Sequence, residues 1–232
     1  MLSLKSMEVK PIKYNDTKVW LLEKHYSRSI PSISYAFGLF DDGELIGIVT
    51  FGSPPSSTLC ESICGIEYKS NVVELNRLVI ESPKKNCASI LVGRAMQMLP
   101  KPTIVVSFAD TSVNHIGFVY QATNFMYCGS YKGEKKWAVK GMEHYHHKTI
   151  WDKLVKIRGG EKVTVEDVMD HYGDKFYWRE TTDKHRYIYF HATKKQKKKL
   201  FKVFKHKVYD YPKGDLVRYD AGGSVATQGI LF

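Results

Sequence analysis

The sequence has no run of about 20 consecutive apolar residues, the length that a helix needs to cross a bilayer. Its first residues, MLSLKSMEVKPIKYND, also lack the continuous apolar region and the small-residue cleavage site of a secretory signal peptide. We therefore expect an intracellular protein without a membrane-spanning segment.

Cysteine is scarce, with four among 232 residues. In an intracellular protein we expect reduced thiols at all four positions: Cys60, Cys64, Cys87 and Cys128. The first two have C-x3-C spacing, but no second cysteine pair follows at zinc-finger spacing. A separate histidine cluster comprises His144, His146 and His147. No metal site is therefore predicted.

Acidic residues are outnumbered, with 24 Asp and Glu against 35 Lys and Arg, and the formal net charge is +11. Such a charge favours a polyanionic partner, nucleic acid first and an anionic membrane surface second. Hydrophobic residues make up 43% and aromatic residues 13% of the chain, as in a folded protein. The length fits one domain, or one domain with an elaboration.

The positive charge is concentrated in residues 194–213, which contain nine lysines and one aspartate. A charge run is often only a solvated helix face, but here Phe201, Phe204 and Tyr209 are interleaved with the lysines. We therefore predict contacts with nucleic-acid phosphates. The predicted contact residues are Lys194, Lys195, Lys197, Lys198, Lys199, Lys202 and Lys205.

The spacing of apolar residues predicts helices and strands in alternation. A first helix is predicted over 15–27, with Asn15 or Asp16 as its N-cap, and a hairpin follows around the Asp42-Gly43 turn. The next elements are a strand over 70–80, a helix over 87–99, a buried strand over 103–110, a helix over 114–125 and a strand over 126–131. One face of the 87–99 helix should be buried, namely Ala88, Leu91, Val92, Ala95, Met98 and Leu99.

The character of the sequence changes after Gly141. Two short helices are predicted, over 146–158 and over 164–173, the second with a capping box at Thr164 and Asp167 and a stop at Gly173. A last strand over 185–192 precedes a basic helix, whose apolar stripe is Leu200, Val203 and Phe204. We interpret the chain as one α/β domain over 1–232. Its parts are a core of 1–140 and 185–193, a helical insertion of 141–184 and a basic C-terminal segment of 194–232.

This order of elements resembles the GNAT N-acyltransferase fold. The resemblance is sharpest in NHIGFVYQATNF, where Asn114, Tyr120 and Asn124-Phe125 have the spacing common in that family. It implies a central mixed sheet flanked by helices, with Tyr120 as a general acid near the leaving group. Taken alone, a tyrosine at this position is more often a core residue. Asn124 replaces the usual glycine and can adopt the same left-handed conformation.

Almost the whole chain resembles a narrower family, the Mom family of phage proteins. The matching blocks are KHYSRSIPS, FGLFDDGELIGIVTFGSP, ELNRLVI, VVSFADTSVNHIGFVYQATNFMYCG and KHRYIYFHATKKQKKKL. The resemblance implies an enzyme that adds a carbamoylmethyl group to adenine N6 in phage DNA and so protects that DNA from host restriction. The resemblance also implies that the protein is located in the cytoplasm of the bacterial host. The expected partners are DNA and, for an aminoacyl-tRNA donor, tRNA. A membrane is not an expected partner.

Candidate catalytic residues lie at the end of the first helix and at the end of the buried strand. His25, Tyr26 and Arg28 lie in HYSR, where the first helix should end. The residues could merely cap the helix, but a loop imidazole and a guanidinium also suit catalysis and anion binding. Ser107 and Asp110 lie at the carboxyl end of the buried strand, the usual place for a site in an α/β sheet. Asp110 could accept a proton from an exocyclic amine, or could be an ordinary helix N-terminal charge.

Candidate substrate-binding residues are Arg28, Arg77, Asn76, His115 and Asn124. In ELNRL, strand alternation would put Glu74 and Asn76 on one face and Arg77 on the other. A buried Arg77 would need an anionic partner, either a protein carboxylate or a substrate. His115 has the same two interpretations as Asp110.

The turn before the 87–99 helix, SPKKNCAS, contains no glycine. GNAT enzymes that use acetyl-CoA have a Q/R-x-x-G-x-G/A turn there, which holds the pyrophosphate. Lys84, Lys85 and Ser89 could attract an anion, but side chains at the glycine positions keep the backbone away. The departure favours an aminoacyl-tRNA donor such as glycyl-tRNA over acetyl-CoA. Acyl transfer alone would not put a methylene on N6, so a rearrangement, or a step that uses a metal such as iron, must be added.

Two other functions fit the sequence. One is an acetyl-CoA-dependent N-acetyltransferase that acts on a small amine or a protein lysine. The other is a non-catalytic nucleic-acid-binding protein on a GNAT scaffold.

Overall fold

A large β-sheet with helices on both faces organises the fold. The structure is a computed structural model that describes residues 7–111, 115–143, 145 and 147–214. Its strands are β1 Met7–Pro11, β2 Tyr35–Asp41, β3 Glu44–Gly52, β4 Val72–Ile80, β5 Thr103–Asp110, β6 Met126–Tyr131, β7 Lys135–Val139, β8 Phe176–Glu180 and β9 Lys184–His191. Seven of them form one sheet in the order β1-β2-β3-β4-β5-β9-β6. Only β4 and β5 are parallel neighbours in it, so the sheet is mixed.

The α-helices are α1 Tyr14–Val19, α2 Ser57–Cys64, α3 Cys87–Met98, α4 Phe118–Ala122, α5 His147–Ile157, α6 Val165–Tyr172 and α7 Lys194–Val203. A π-helical turn, Trp20–Lys24, continues α1, and 3-10 helices occupy Ile66–Asn71 and Gly173–Lys175. The chain divides into two compact units, Met1–Tyr131 with Lys184–Phe232, and Lys132–Asp183. The seven-stranded sheet belongs entirely to the first unit.

Each face of the large sheet is covered by helices. On one face, Leu91, Val92 and Ala95 of α3 are fully buried in a cluster with Phe51 and Val105 of the sheet. The other face has two clusters, one under the π-helical turn and one under α2 and α7. Each fully buried aliphatic side chain stabilises the fold by about 1.5–3 kcal/mol. The α/β class, with a central mixed sheet flanked by helices, is thereby confirmed.

The second unit combines β7 and β8, which pair antiparallel, with α5 and α6. Its core includes Trp137, Ile150, Leu154 and Val168. The predicted capping box is confirmed, since the Thr164 hydroxyl oxygen accepts the backbone N–H of Asp167 at 3.2 Å and Thr164 N–H donates to the Asp167 carboxylate at 2.7 Å. The unit begins before the predicted insertion of 141–184 because its sheet needs β7, a strand that the sequence did not reveal.

The predicted helix, hairpin, strand, helix, strand, helix and strand occur in that order in the structure, which adds β1 before the first helix and α2 after the hairpin. In the hairpin turn, Asp42 and Gly43 both have positive φ, as the Asp-Gly signal predicts. α2 was not predicted. The helix predicted over 114–125 is only Phe118–Ala122, because Gly117 precedes it with φ +81°. Asn114, His144 and His146 lie outside the described residues.

Three details of the predicted helices were wrong. The N-cap of α1 is Lys13, and Asp16 lies in the first turn, where its carboxylate accepts the Lys13 N–H at 3.0 Å. In α3 the buried methionine is Met96, one turn after Val92, whereas Met98 at the helix end is 43% exposed. In α7 Leu200 is buried and Phe204 packs on Phe190, but Val203 is 40% exposed.

No helix among the described residues is both long and apolar enough to span a membrane. Within the same residues, no group of three or more His, Cys, Asp or Glu side chains is placed to hold a metal ion.

The left-handed conformation of Asn124 can be tested by substitution. Its φ is +60°, directly after α4, which carries Tyr120. Asn124→Ala should lower the free energy of unfolding by about 1 kcal/mol, because Cβ is crowded at positive φ, whereas Asn124→Gly should be close to wild type. Urea denaturation of the three proteins measures the difference. Equal stability of the Ala and Gly variants would contradict the assignment.

Candidate functional site

The two parallel strands at the centre of the sheet separate after three paired residues. β4 and β5 pair at Val72 with Ile104, Val73 with Val105, and Glu74 with Val106, and the ladder then ends. β4 continues beside β3 as far as Ile80, and β5 continues beside β9 as far as Asp110. The gap between the carboxyl ends of the two strands, called here the β4–β5 cleft, is where open α/β sheets bind ligands.

Ser107 lies at the closed end of this cleft. Its side chain is fully buried, and its hydroxyl donates a hydrogen bond to the Leu75 carbonyl at 2.8 Å. The bond therefore joins β5 to β4 where the regular ladder has stopped. Ser107, predicted as catalytic, is placed at the cleft, but its proton is already committed to the backbone.

A bulge in β4 brings Arg77 to the same side as Glu74. Thr50 pairs with Arg77 and Phe51 pairs with Leu75, so Asn76 is an extra residue. Leu75 and Leu78 consequently share one core cluster, although they are three residues apart. The predicted strict alternation, with Arg77 opposite Glu74, was wrong for this reason.

The Asn76 side chain holds the loop that follows the first helix. Its carbonyl oxygen accepts from the Thr50 hydroxyl at 2.6 Å, and its amide donates to the Ser32 carbonyl at 2.8 Å. These contacts give Asn76 a structural use, and its role in substrate binding stays a prediction.

Arg77 is half-buried and presents an incompletely bonded guanidinium. Nη1 donates to the Asn76 carbonyl at 2.7 Å and Nη2 to the Ser29 hydroxyl at 3.1 Å, whereas buried Nε has no hydrogen-bond partner in the structure. Burial lowers the pKa of Arg77, and Tyr26 and Glu74 act in the opposite direction. A guanidinium with a free buried donor suits an anionic or carbonyl oxygen of a ligand.

Glu74 is a candidate catalytic residue that the sequence analysis did not identify. Burial raises the pKa of its carboxyl group, and the nearby Arg77 and Lys184 partly oppose that shift. A carboxylate with a raised pKa is a better proton acceptor at neutral pH than an exposed one. The available signal was a lone acidic residue inside the otherwise apolar run VVELNRLVI.

His25 is buried and stacks on Tyr26, with 4.3 Å between ring centroids. Its Nδ1 accepts the Ser27 backbone N–H at 3.0 Å, which places the proton of the neutral ring on Nε2. Burial, and then the charge of Arg77, lowers the pKa of His25 to about 4. His25 is therefore a neutral hydrogen-bond donor at pH 7, while Tyr26 is 52% exposed and offers an open ring face.

Tyr120 is buried among Tyr187, Phe125 and His115, at ring-centroid distances of 5.2, 5.4 and 6.3 Å. Burial raises the pKa of Tyr120 to about 12, while hydrogen bonding to Ser107 lowers it. Electrostatic interactions with Tyr26 and Glu74 also raise the pKa of Tyr120. A phenol that stays protonated at neutral pH can act as a proton donor.

Asp110 and His115 lie at the open end of β5. The Asp110 carboxylate is 3.9 Å from Lys184 Nζ, and the His115 N–H donates to the Asp110 carbonyl at 3.2 Å. Burial lowers the pKa of His115, Asp110 opposes the shift, and His185 adds to it. Asp110, His115 and His185 therefore form a second group of titratable side chains at this end of the cleft.

The remaining predicted site residues have mainly backbone roles. Arg28 is exposed, has φ +40°, and donates its N–H to the His25 carbonyl at 3.0 Å. Asn124 is exposed and provides the left-handed residue after α4. Of the predicted residues, Arg77 and Tyr120 interact electrostatically with Glu74. His25 and Tyr26 interact with Arg77, and Ser107 forms a hydrogen bond with Tyr120.

The glycine-free turn before α3 uses its side chains internally. Asn86, the N-cap, has φ +66° and supplies the left-handed conformation. The Ser89 hydroxyl donates to the Asn86 carbonyl at 3.0 Å, and Lys84 pairs with the Asp41 carboxylate. Two of the three side chains considered for anion binding are thus already engaged.

The basic helix α7 begins with a capping box that the sequence analysis missed, between Thr193 and Gln196. Lys197 is half-buried, with Nζ 5.5 Å from the centroid of the Tyr189 ring. The other predicted contact residues are exposed: Lys194, Lys195, Lys198, Lys199, Lys202 and Lys205. Their contact with nucleic acid stays a prediction.

The model of the Mom protein family matches residues 6–213 of this chain. One similar relative is "Methylcarbamoylase mom" of Escherichia phage Mu, which is 28% identical over 220 residues, covering 88% of this chain and 85% of the relative.

Similar solved structures include an N-acetyltransferase from Staphylococcus aureus Mu50, 15% identical, with a TM-score of 0.42 over 79% of this chain and 98% of that chain. An acetyltransferase from Bacillus subtilis in complex with CoA is 13% identical, with a TM-score of 0.42 over 79% of this chain and 98% of that chain. Arabidopsis thaliana NAA60 in complex with acetyl-CoA is 14% identical, with a TM-score of 0.43 over 80% of this chain and 98% of that chain.

The lowered pKa of His25 predicts a pH dependence of stability. Between pH 6.5 and about 4 the unfolded chain binds a proton at this residue and the folded chain does not. The contribution of His25 is therefore fully present above pH 6.5 and is lost as the pH falls towards 4. Urea unfolding across this range should show a smaller loss of stability for His25→Asn, which keeps an acceptor for Ser27.

His115, His191 and His206 also have lowered pKa values, so only the difference between the two proteins is diagnostic. Parallel pH profiles for wild type and His25→Asn would show that the imidazole titrates normally in the folded protein.

Proposed function

This chain belongs to the Mom protein family, and from that membership we propose that it is a transferase that adds a carbamoylmethyl-type group to adenine N6 in DNA. The modification would protect phage DNA from host restriction. The observation that supports this chemistry best is the β4–β5 cleft, where a half-buried carboxylate interacts electrostatically with a protonated phenol and with an incompletely bonded guanidinium. The name of the phage Mu relative, methylcarbamoylase, fits the same reaction class.

Glu74 and Tyr120 have complementary protonation states for group transfer. The raised pKa of Glu74 suits a base that removes a proton from the adenine N6 amine as nitrogen attacks an ester carbonyl. The phenol of Tyr120, with a pKa of about 12, then gives a proton to the departing ribose oxygen. One proton leaves the amine and one reaches the leaving group, so the transfer is balanced.

Arg77 and His25 supply hydrogen-bond donors in the same place. The unpartnered Nε of Arg77 and the protonated Nε2 of His25 are suited to the developing negative charge on the carbonyl oxygen. Adenine must leave the duplex to reach the cleft, and flipped bases are held by stacking on aromatic rings. The exposed ring of Tyr26 is the candidate for that contact.

The donor best suited to this site is an aminoacyl ester, with glycyl-tRNA as the specific candidate. The turn before α3 has side chains where a pyrophosphate would need a close backbone, and Lys84 is paired with Asp41. A glycyl group and a carbamoylmethyl group are isomers that contain the same atoms. Transfer followed by rearrangement therefore needs no further atom and no net oxidation or reduction.

The requirement for each of the two cleft carboxylates can be tested by substitution. Glu74→Gln should lower adenine modification by about 10²-fold or more, because it removes the general base. Asp110→Asn, at the other wall, should also abolish modification without loss of folding or DNA binding. The measurement is mass spectrometry of nucleosides from DNA co-expressed with each variant.

Glu44→Gln, an exposed hairpin substitution, is the matched control and should modify DNA normally. Near-normal modification by Glu74→Gln would remove Glu74 from the mechanism. If only Asp110→Asn is active, Asp110 is a structural charge.

The donor can be identified with purified protein and a fractionated extract. Purified protein, DNA and acetyl-CoA should give no modified adenosine, whereas an extract that contains charged tRNA should. Ribonuclease treatment of the extract destroys tRNA and spares CoA, so it should abolish the reaction. Activity that survives ribonuclease and increases with added acetyl-CoA would disprove the aminoacyl-tRNA donor.

A further inference from the structure

A second incompletely bonded arginine lies on β9, next to the cleft but separate from the residues assigned above. Arg186 is half-buried, and its guanidinium carbon lies 5.9 Å from the Phe108 ring centroid and 5.2 Å from that of Tyr131. No carboxylate of a described residue lies within 4.0 Å of its nitrogens, and its buried Nε has no hydrogen-bond partner in the structure. The two rings hold the planar cation in place and do not neutralise it.

His206 completes this site with a second unsatisfied donor. Its Nδ1 is 3.3 Å from Arg186 Nη1. A guanidinium nitrogen can only donate, so Nδ1 accepts and the proton of the neutral ring lies on Nε2. That buried Nε2 also has no partner in the structure. Burial and the charge of Arg186 both lower the pKa of His206, in agreement with a neutral ring.

Two buried N–H donors, and a cation with no carboxylate of a described residue nearby, favour an acceptor with negative charge. A phosphate oxygen meets this need, since arginine donors match phosphate geometry. Exposed lysines flank the site at Lys205 and Lys207, directly beyond α7. The site thus lies between the basic helix and the cleft.

The sheet register fixes how close the site is to the cleft. Arg186 pairs with Phe108, and two residues along the same strands Lys184 pairs with Asp110 at the cleft edge. Two residues of a β-strand span about 7 Å. A strand of nucleic acid with one nucleotide in the cleft can therefore place a neighbouring phosphate beside Arg186.

We propose that Arg186 and His206 bind one phosphodiester group of the nucleic-acid strand whose reacting nucleotide occupies the β4–β5 cleft. This inference rests on the proposed function, because it assumes that the substrate is a nucleic acid. The strand is either the DNA that carries the target adenine or the acceptor end of a charged tRNA. Both present the same phosphodiester, and separate binding experiments distinguish them.

The first experiment measures binding of duplex DNA and of glycyl-tRNA to wild type, Arg186→Gln and Lys10→Gln over a range of salt concentrations. Lys10 is an exposed lysine on β1, at the opposite edge of the sheet, and controls for the loss of one charge. Arg186→Gln should weaken binding of one of the two nucleic acids at least fivefold. The log–log salt slope should fall by about 0.9 for duplex DNA or about 0.7 for a single strand.

The second experiment replaces single phosphates of the bound nucleic acid with neutral methylphosphonates. Wild type should lose affinity at one position near the reacting nucleotide, and Arg186→Gln should no longer respond at that position. His206→Gln keeps an acceptor for Arg186 and a donor, so it should resemble wild type, whereas His206→Leu should resemble Arg186→Gln. Thermal unfolding checks that each variant is folded. If Arg186→Gln does not fold, the double variant with Arg186→Lys and His206→Leu is used in its place.

Affinities of Arg186→Gln equal to those of Lys10→Gln for both nucleic acids would overturn the proposal. An unchanged methylphosphonate profile would do the same, and the two donors would then be satisfied by water alone. These readouts do not need catalysis. A protein that never modifies DNA but shows the position-specific response would disprove the proposed function and leave the phosphate site intact.

Discussion

The divergence of β4 from β5 is the constraint on which the rest of the site depends. Parallel pairing ends at Glu74 and Val106, and a single side-chain bond from Ser107 to Leu75 replaces the ladder. If the two strands remained paired to their ends, the Glu74 and Tyr120 side chains would be separated by sheet backbone. The gap lets groups from opposite faces of the sheet meet.

Burial within the cleft sets the protonation states that the chemistry needs. The same desolvation raises the pKa of the acids Glu74 and Tyr120 and lowers the pKa of the bases His25 and Arg77. Each group is thereby shifted towards its neutral form. Glu74 and Arg77 partly offset these shifts, because each favours the charged form of the other.

Local patterns predicted the elements, and three-dimensional features decided the site. The Asp42-Gly43 turn, the buried β5 and the capping box at Thr164 are each encoded within a few residues, so the sequence revealed them. The side of the sheet that Arg77 occupies depends on a bulge formed against β3, which no periodicity in β4 records. Glu74 was missed for a related reason, since the end of the β4–β5 ladder at this residue is a feature of the tertiary structure.

The turn before α3 lacks glycines, and the unsatisfied hydrogen-bond donors of the described residues lie elsewhere. Before α3, Asn86 supplies the left-handed turn and Lys84 and Ser89 are engaged, so this helix N-terminus offers little to a diphosphate. Among the described residues, the buried donors that lack acceptors are instead on arginine and histidine side chains of the sheet and of the segment after α7, including Arg77, Arg186 and His206. Side-chain donors at separate positions would suit phosphates spaced along a strand, whereas a single backbone cradle suits one compact diphosphate. This distribution of donors agrees with the polymeric donor that we propose.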